Sequence, residues 1–124
     1  MHEREFWEFW IRAETWNPTA ITAEAIEEWI ARLMSPGGLR GVLETYRAAF
    51  KNASINEELR KVRLTLPVLT VGAPEFFGPL VKDQMLKVAD RVDRAEVFEE
   101  CGHSLALEAD QRLAKLLCEF MLRQ

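Results

Sequence analysis

Within Val97–Ala109, VFEECGHSLALEA, two carboxylates, a thiol and an imidazole fall close together: Glu99, Glu100, Cys101 and His103. An apolar, strand-like run ends at the acids, Gly102 follows, and a helix-like pattern begins after His103. In an open parallel sheet, functional groups gather at the carboxyl ends of strands, and an imidazole placed there can take a proton from water. The same turn can equally carry an ordinary loop histidine. A base also needs something to activate. The 124 residues contain no G-x-S-x-G elbow. Cys101 and His103 could form a thiol–imidazole pair or two metal ligands. A zinc site wants three or four ligands, and the other histidine is His2 at the terminus, so no metal is expected. Cys101 and Cys118 both read as small buried hydrophobes.

A second acid, Glu75 in GAPEFFG, lies just past another strand-like run. Adjacent parallel strands would bring its loop near that of His103, where a carboxylate could orient the imidazole; a solvated loop acid is the plain alternative. Tyr46 falls on the apolar face of a helix, where its hydroxyl needs a partner if buried. Phe6, Trp7 and Trp10 form an aromatic stripe near the N-terminus. Such a stripe is more often core than a binding surface, and Trp10 reads as core.

These candidates need elements to position them. EREFWEFWIRAETW predicts a helix ending near Trp16, before Asn17–Pro18, with Phe6, Phe9, Trp10 and Ala13 inward and Glu8–Arg12 one turn apart. Thr22 is a good N-cap for a second helix that buries Ile26, Trp29, Ile30 and Leu33. SPGG at Ser35–Gly38 ends it. A third helix follows with Leu39, Val42, Leu43, Tyr46 and Phe50 on its apolar face. A polar link is expected at Lys51–Ile55, and the charges from Glu57 to Arg63 read as a solvated connection. Leu66–Val71 reads as a buried parallel strand, the residues from Pro79 as a helix, and AEVFEE as a second strand. The final helix points Ala109, Leu113, Leu116, Leu117 and Phe120 inward. The order is three helices, then strand–helix–strand–helix, an α/β and mostly helical arrangement. A two-stranded parallel sheet does not normally stand alone.

With 48% apolar and 29% charged residues the chain reads as one soluble globular unit, and a net charge of −4 offers no footprint for nucleic acid. No apolar run is long enough to span a membrane. The acidic start MHEREF is unlike a signal peptide, and two cysteines without such a signal predict a reducing, cytoplasmic setting.

PGGLRGVLETYRAAF, LPVLTVGAPEFFGP and EECGHSLALEA occur in this order and spacing. Together they resemble the cap domain and last two strands of an α/β-hydrolase of the epoxide-hydrolase and haloalkane-dehalogenase-like branch. The resemblance implies a partial α/β-hydrolase fold: a helical cap-like segment over 1–52 and a β-α-β-α part of the core over 53–124. It implies hydrolysis of small molecules through a carboxylate nucleophile and a histidine-activated water, with no cofactor. His103 would be that base and Glu75 its orienting acid, although some members carry the acid after a preceding strand and Pro74–Glu75 departs from the usual Gly-x-x-Asp. Tyr46 would match the cap tyrosine that donates to an epoxide oxygen or holds a leaving halide. Trp7 and Phe6 would line the cavity for a small apolar molecule. The second cap tyrosine of epoxide hydrolases has no counterpart, since Tyr46 is the single tyrosine. Asp110 stands where the family has a proline. Because the nucleophile-bearing half is missing from these residues, the chain is expected to be inactive alone. It would be a fragment of a longer chain, a short gene or half of a split enzyme. The bare strand edge predicts a homo-oligomer such as a dimer, or a partner chain supplying the missing strands. The alternative is a non-catalytic module that binds a small ligand or protein through its aromatic surface.

Overall fold

The computed structural model describes residues 2–123. Helix α1 (Glu3–Ala13) has acids in its first turn and Arg12 in its last, which complements the helix dipole. Arg12 pairs with Glu8 at 3.0 Å, as their spacing predicts. The helix stops before Trp16 because the Thr15 hydroxyl donates to the Ile11 carbonyl at 2.6 Å and the chain turns there. Thr22 caps α2 (Ala23–Met34), its hydroxyl accepting from the Ala25 amide at 3.2 Å. Gly37, with φ of 85°, then makes the left-handed turn into α3 (Gly38–Arg47) that a side chain would strain.

The expected link at Lys51–Ile55 is instead helical. After a single break at Ala48, α4 (Ala49–Leu59) runs on, because this stretch holds no glycine or proline to stop it. Pairs one turn apart, Glu57–Arg60 at 2.7 Å and Glu58–Lys61 at 2.5 Å, flank its end. The expected boundary between residues 52 and 53 thus falls inside a helix.

Strand β1 (Leu69–Gly72) starts later than Leu66, since Pro67 has no amide to give a ladder. Asp93 takes over by accepting from the Val68 amide at 3.0 Å. A crossover through the short α5 (Leu80–Met85) leads to β2 (Arg94–Val97), which pairs parallel with β1 in the register Leu69↔Arg94 to Gly72↔Val97. On its other side β1 has no strand among the described residues. Two helices close the chain, α6 (Leu105–Glu108) and α7 (Asp110–Met121), broken at Ala109.

Apolar packing falls into two clusters. One joins Ile21, Ile26 and Ile30 to Trp7, Ile11 and Trp29, between α1 and α2. The other gathers Ala73, Phe98, Cys101 and Leu116 under the sheet and α7. Several inward expectations are corrected. Phe6, Phe9 and Trp10 are exposed, because α2 packs on the adjacent Trp7–Ile11 line of a helix that is apolar most of the way round. Tyr46 is 75% exposed, Leu43, Phe50 and Leu117 also face outward, and Cys118 is exposed.

The whole surface is 9312 Å², whereas a compact monomer of 14.3 kDa would expose roughly 6800 Å². The excess is comparable to what an obligate interface covers. No described helix is long and apolar enough to cross a membrane.

Candidate functional site

His103 is positioned by what precedes it. Phe98 is fully buried and continues the ladder past β2, its amide donating to the Gly72 carbonyl at 2.8 Å. Glu100 then turns the chain with φ of 58°, a left-handed conformation that is costly for a side-chain-bearing residue. Cys101 plugs back into the core; burial first, and then the Glu108 charge, push its thiol up from the ordinary value. Gly102 lies against the chain leaving α1. The His103 amide donates to the Glu14 carbonyl at 2.8 Å, and its ring rests 4.9 Å from the Phe76 ring, tilted by 54°. The imidazole itself is exposed.

Phe76 comes from the loop after β1. That loop is tight: the Phe76 and Gly78 amides both donate to the Ala73 carbonyl, at 3.1 and 2.9 Å, and Phe77 takes a φ of 58°. It does bring the Glu75 segment to the histidine, as parallel neighbours should. The residue that touches the imidazole, however, is Phe76. Glu75 points outward, exposed, and its carboxylate makes no hydrogen bond or ion pair among the described residues.

Between the two loops and α5 lies an open apolar hollow of about 460 Å³, with Val71, Phe76, Phe77, Val81 and Met85 on its walls and His103 at its edge. A second hollow, about 400 Å³, is lined by Phe6, Trp7, Trp10, Ile11, Glu14 and Tyr46. Its rings meet edge to face, Phe6 with Trp7 at 5.4 Å and with Trp10 at 6.2 Å. Tyr46, Trp7 and Phe6, singled out from the sequence, therefore share one cavity. Glu14 connects the two places, since it lines the aromatic hollow while its carbonyl holds the His103 amide.

Sequence reasoning missed Phe76, Glu14 and Glu108. Glu108 accepts from three backbone amides, Trp16, Asn17 and Gly102; no periodicity marks a glutamate that recruits amides from so far along the chain. Among the described residues no group of three His, Cys, Asp or Glu side chains is placed to hold a metal ion.

No family model matches the chain. It is 27% identical over 96 residues to the soluble epoxide hydrolase of Corynebacterium sp. (strain C12), an overlap of 77% of this chain and 33% of that protein. Cfl2 from Burkholderia cenocepacia superposes with a TM-score of 0.82 at 30% identity, over 95% of this chain and 40% of that one. The epoxide hydrolase CorEH superposes with a TM-score of 0.87 at 21% identity, over 98% of this chain and 43% of its own. The chain thus spans about a third of the curated relative and about two fifths of each solved structure.

Proposed function

We propose that this chain, which resembles part of an epoxide-hydrolase-like α/β-hydrolase, supplies the cap-like helices and the histidine of a composite hydrolase site. A segment outside these residues would supply the remaining strands and a carboxylate nucleophile. That carboxylate attacks a carbon of a carbon–oxygen or carbon–halogen bond, expelling an alkoxide or halide and leaving an alkyl ester on the enzyme. His103 then takes a proton from water as the water oxygen adds to the ester carbonyl. Collapse of that adduct releases the alcohol and regenerates the carboxylate, with no cofactor. Tyr46 donates to the departing oxygen or halide, and Trp7 and Phe6 bind the apolar part of a small substrate. Glu75 is the candidate in this chain for orienting the imidazole, and serving so would require the Pro74–Glu75 turn to swing inward.

The observation that carries this reading is the placement of His103: past the end of β2, tied by its amide to Glu14 and set at the edge of an apolar hollow. The bare edge of β1 and the large apolar exposure support a complementary core segment as the partner. Two free cysteines fit a cytoplasmic setting.

The test is to co-express the chain with the part of CorEH that it does not match and assay epoxides, haloalkanes and activated esters, with His103→Ala alongside. Turnover by the pair, absent from the chain alone and lost with His103→Ala, is expected. A soluble pair without turnover would sink the proposal. Turnover by the chain alone would show that a nucleophile lies within it, or that two copies build the site. The aromatic hollow also favours a second reading, a non-catalytic binding module. That reading predicts equal uptake of a small apolar fluorophore by the chain and by His103→Ala, with no turnover from any pairing.

A further inference from the structure

Gly102 and His103 are joined to the exit of α1 by an unusual set of bonds. The Glu108 carboxylate uses both of its oxygens. One accepts from the Trp16 and Asn17 amides at 2.9 and 3.1 Å, the other from the Gly102 amide at 3.1 Å. The His103 amide, bound to the Glu14 carbonyl at 2.8 Å, completes the set. No other hydrogen bond joins residues 14–17 to residues 101–108 among the described residues. Amide-to-carboxylate bonds are charge-assisted and stronger than amide-to-carbonyl ones. The break after α6, with Ala109 at φ −137° and ψ 40°, lets Glu108 end one helix rather than point along the next. Gly102 completes the fit, because a Cβ there would meet the Glu14 carbonyl, the Trp16 amide nitrogen at 2.7 Å and Glu108 Oε1 at 2.8 Å.

We propose that Glu108 is a positioning residue: it latches the histidine loop to the exit of α1, so that His103 and the helices lining the aromatic hollow keep a fixed relation. A cap-like segment that shifts would otherwise leave the base behind. With the latch closed, movement of α1 carries His103 with it, and the distance between bound substrate and base is preserved. The catalytic meaning of this latch rests on the proposed function; the latch itself does not.

Hydrogen exchange by NMR on the full chain tests it, comparing wild type with Glu108→Ala and Glu108→Gln. In Glu108→Ala the Trp16, Asn17, Gly102 and His103 amides should exchange about tenfold faster or more. The Phe98 amide, bonded within the sheet region, should keep its protection. The His103 ring protons should lose the ring-current shift that Phe76 imposes. Glu108→Gln keeps one acceptor oxygen, so protection should survive at Gly102 or at the Trp16–Asn17 pair, with the His103 shift partly restored. Unchanged protection at Trp16, Asn17 and Gly102 in Glu108→Ala would overturn the latch. So would acceleration spread equally over Phe98 and these amides in both variants, the sign of a merely structural role. In the assembled pair, Glu108→Gln should lower kcat while KM stays within about twofold. A pair without turnover would count against the proposed function alone, because the exchange measurement reads the latch without it.

Discussion

Gly102→Ala puts the packing of the histidine loop to a severe test. The added methyl would lie 2.7 Å from the Trp16 nitrogen and 2.8 Å from Glu108 Oε1, and nearer still to the Glu14 carbonyl, so backbone on both sides must give way. Overpacking of this kind costs about 1–3 kcal/mol. There is also a ceiling. The chain can escape the clash by parting the α1 exit from the loop, which forfeits the bonds across the joint, about 1 kcal/mol for the one to the Glu14 carbonyl and about 1.5–3 kcal/mol for each to the Glu108 carboxylate. The expected loss is therefore about 1–3 kcal/mol, a fall in Tm of about 4–12 °C for a chain of this length. Gly41→Ala is the control. Nothing lies within 4 Å of a Cβ at Gly41, which sits inside α3, so alanine should stabilise by about 0.5–1 kcal/mol through helix propensity alone. Thermal melts followed by circular dichroism compare the three proteins. A Gly102→Ala melt within about 2 °C of wild type would refute the close approach of the α1 exit to the loop.

Other expectations follow from single groups. Arg94 bonds Glu96 and Glu119 at 2.9 and 3.0 Å, and its hydrogen bond to Glu119 holds that carboxyl below its ordinary value. The stabilisation is thus complete at neutral pH and is lost as pH falls through that lowered value. The gap in urea midpoint between wild type and Arg94→Gln should be widest near neutrality and close in acid; a gap independent of pH would contradict the pairing. Phe98→Ala removes a buried ring that also carries Arg112, whose guanidinium carbon lies 4.0 Å from the ring centroid. It should cost about 3–5 kcal/mol by denaturant titration, and a loss under about 1 kcal/mol would exclude Phe98 from the core. Ellman's reagent should titrate Cys118 at once and Cys101 only on unfolding, since Cys101 is buried with its thiol raised; two fast equivalents would refute that burial. Sedimentation velocity should show concentration-dependent self-association of the chain alone. A monomer at every concentration would argue against an available edge.

What the sequence revealed tracks how local each cause is. Thr22 as a cap and the Ile26–Ile30 face depend on neighbours a few residues away, and each is where the pattern places it. In α1 two apolar lines compete, and only the docking of α2 decides that Trp7 and Ile11 go inward while Phe6 and Trp10 do not. Lys51–Ile55 looked like a link because it is polar, yet polarity alone does not stop a helix that lacks a breaker. At the site, the meeting of the Glu75 and His103 loops follows from parallel pairing, but the strained turn at Phe77 aims Phe76, not Glu75, at the imidazole. Glu108 was illegible because its partners are backbone amides, which have no residue type to read.

The separation of the two apolar clusters has a thermodynamic consequence. Ile21, Ile26 and Ile30 share no buried cluster with Ala73, Phe98, Cys101 and Leu116, and directional bonds to one carboxylate and one carbonyl tie the exit of α1 to the histidine loop. A core divided in this way should melt less cooperatively than a two-state domain, with a calorimetric enthalpy above the van't Hoff enthalpy. Substitutions among Ile21, Ile26 and Ile30 would then leave the sheet body's melting unmoved. The helical half could thus be re-sculpted for a new ligand while the histidine-bearing half stays as it is.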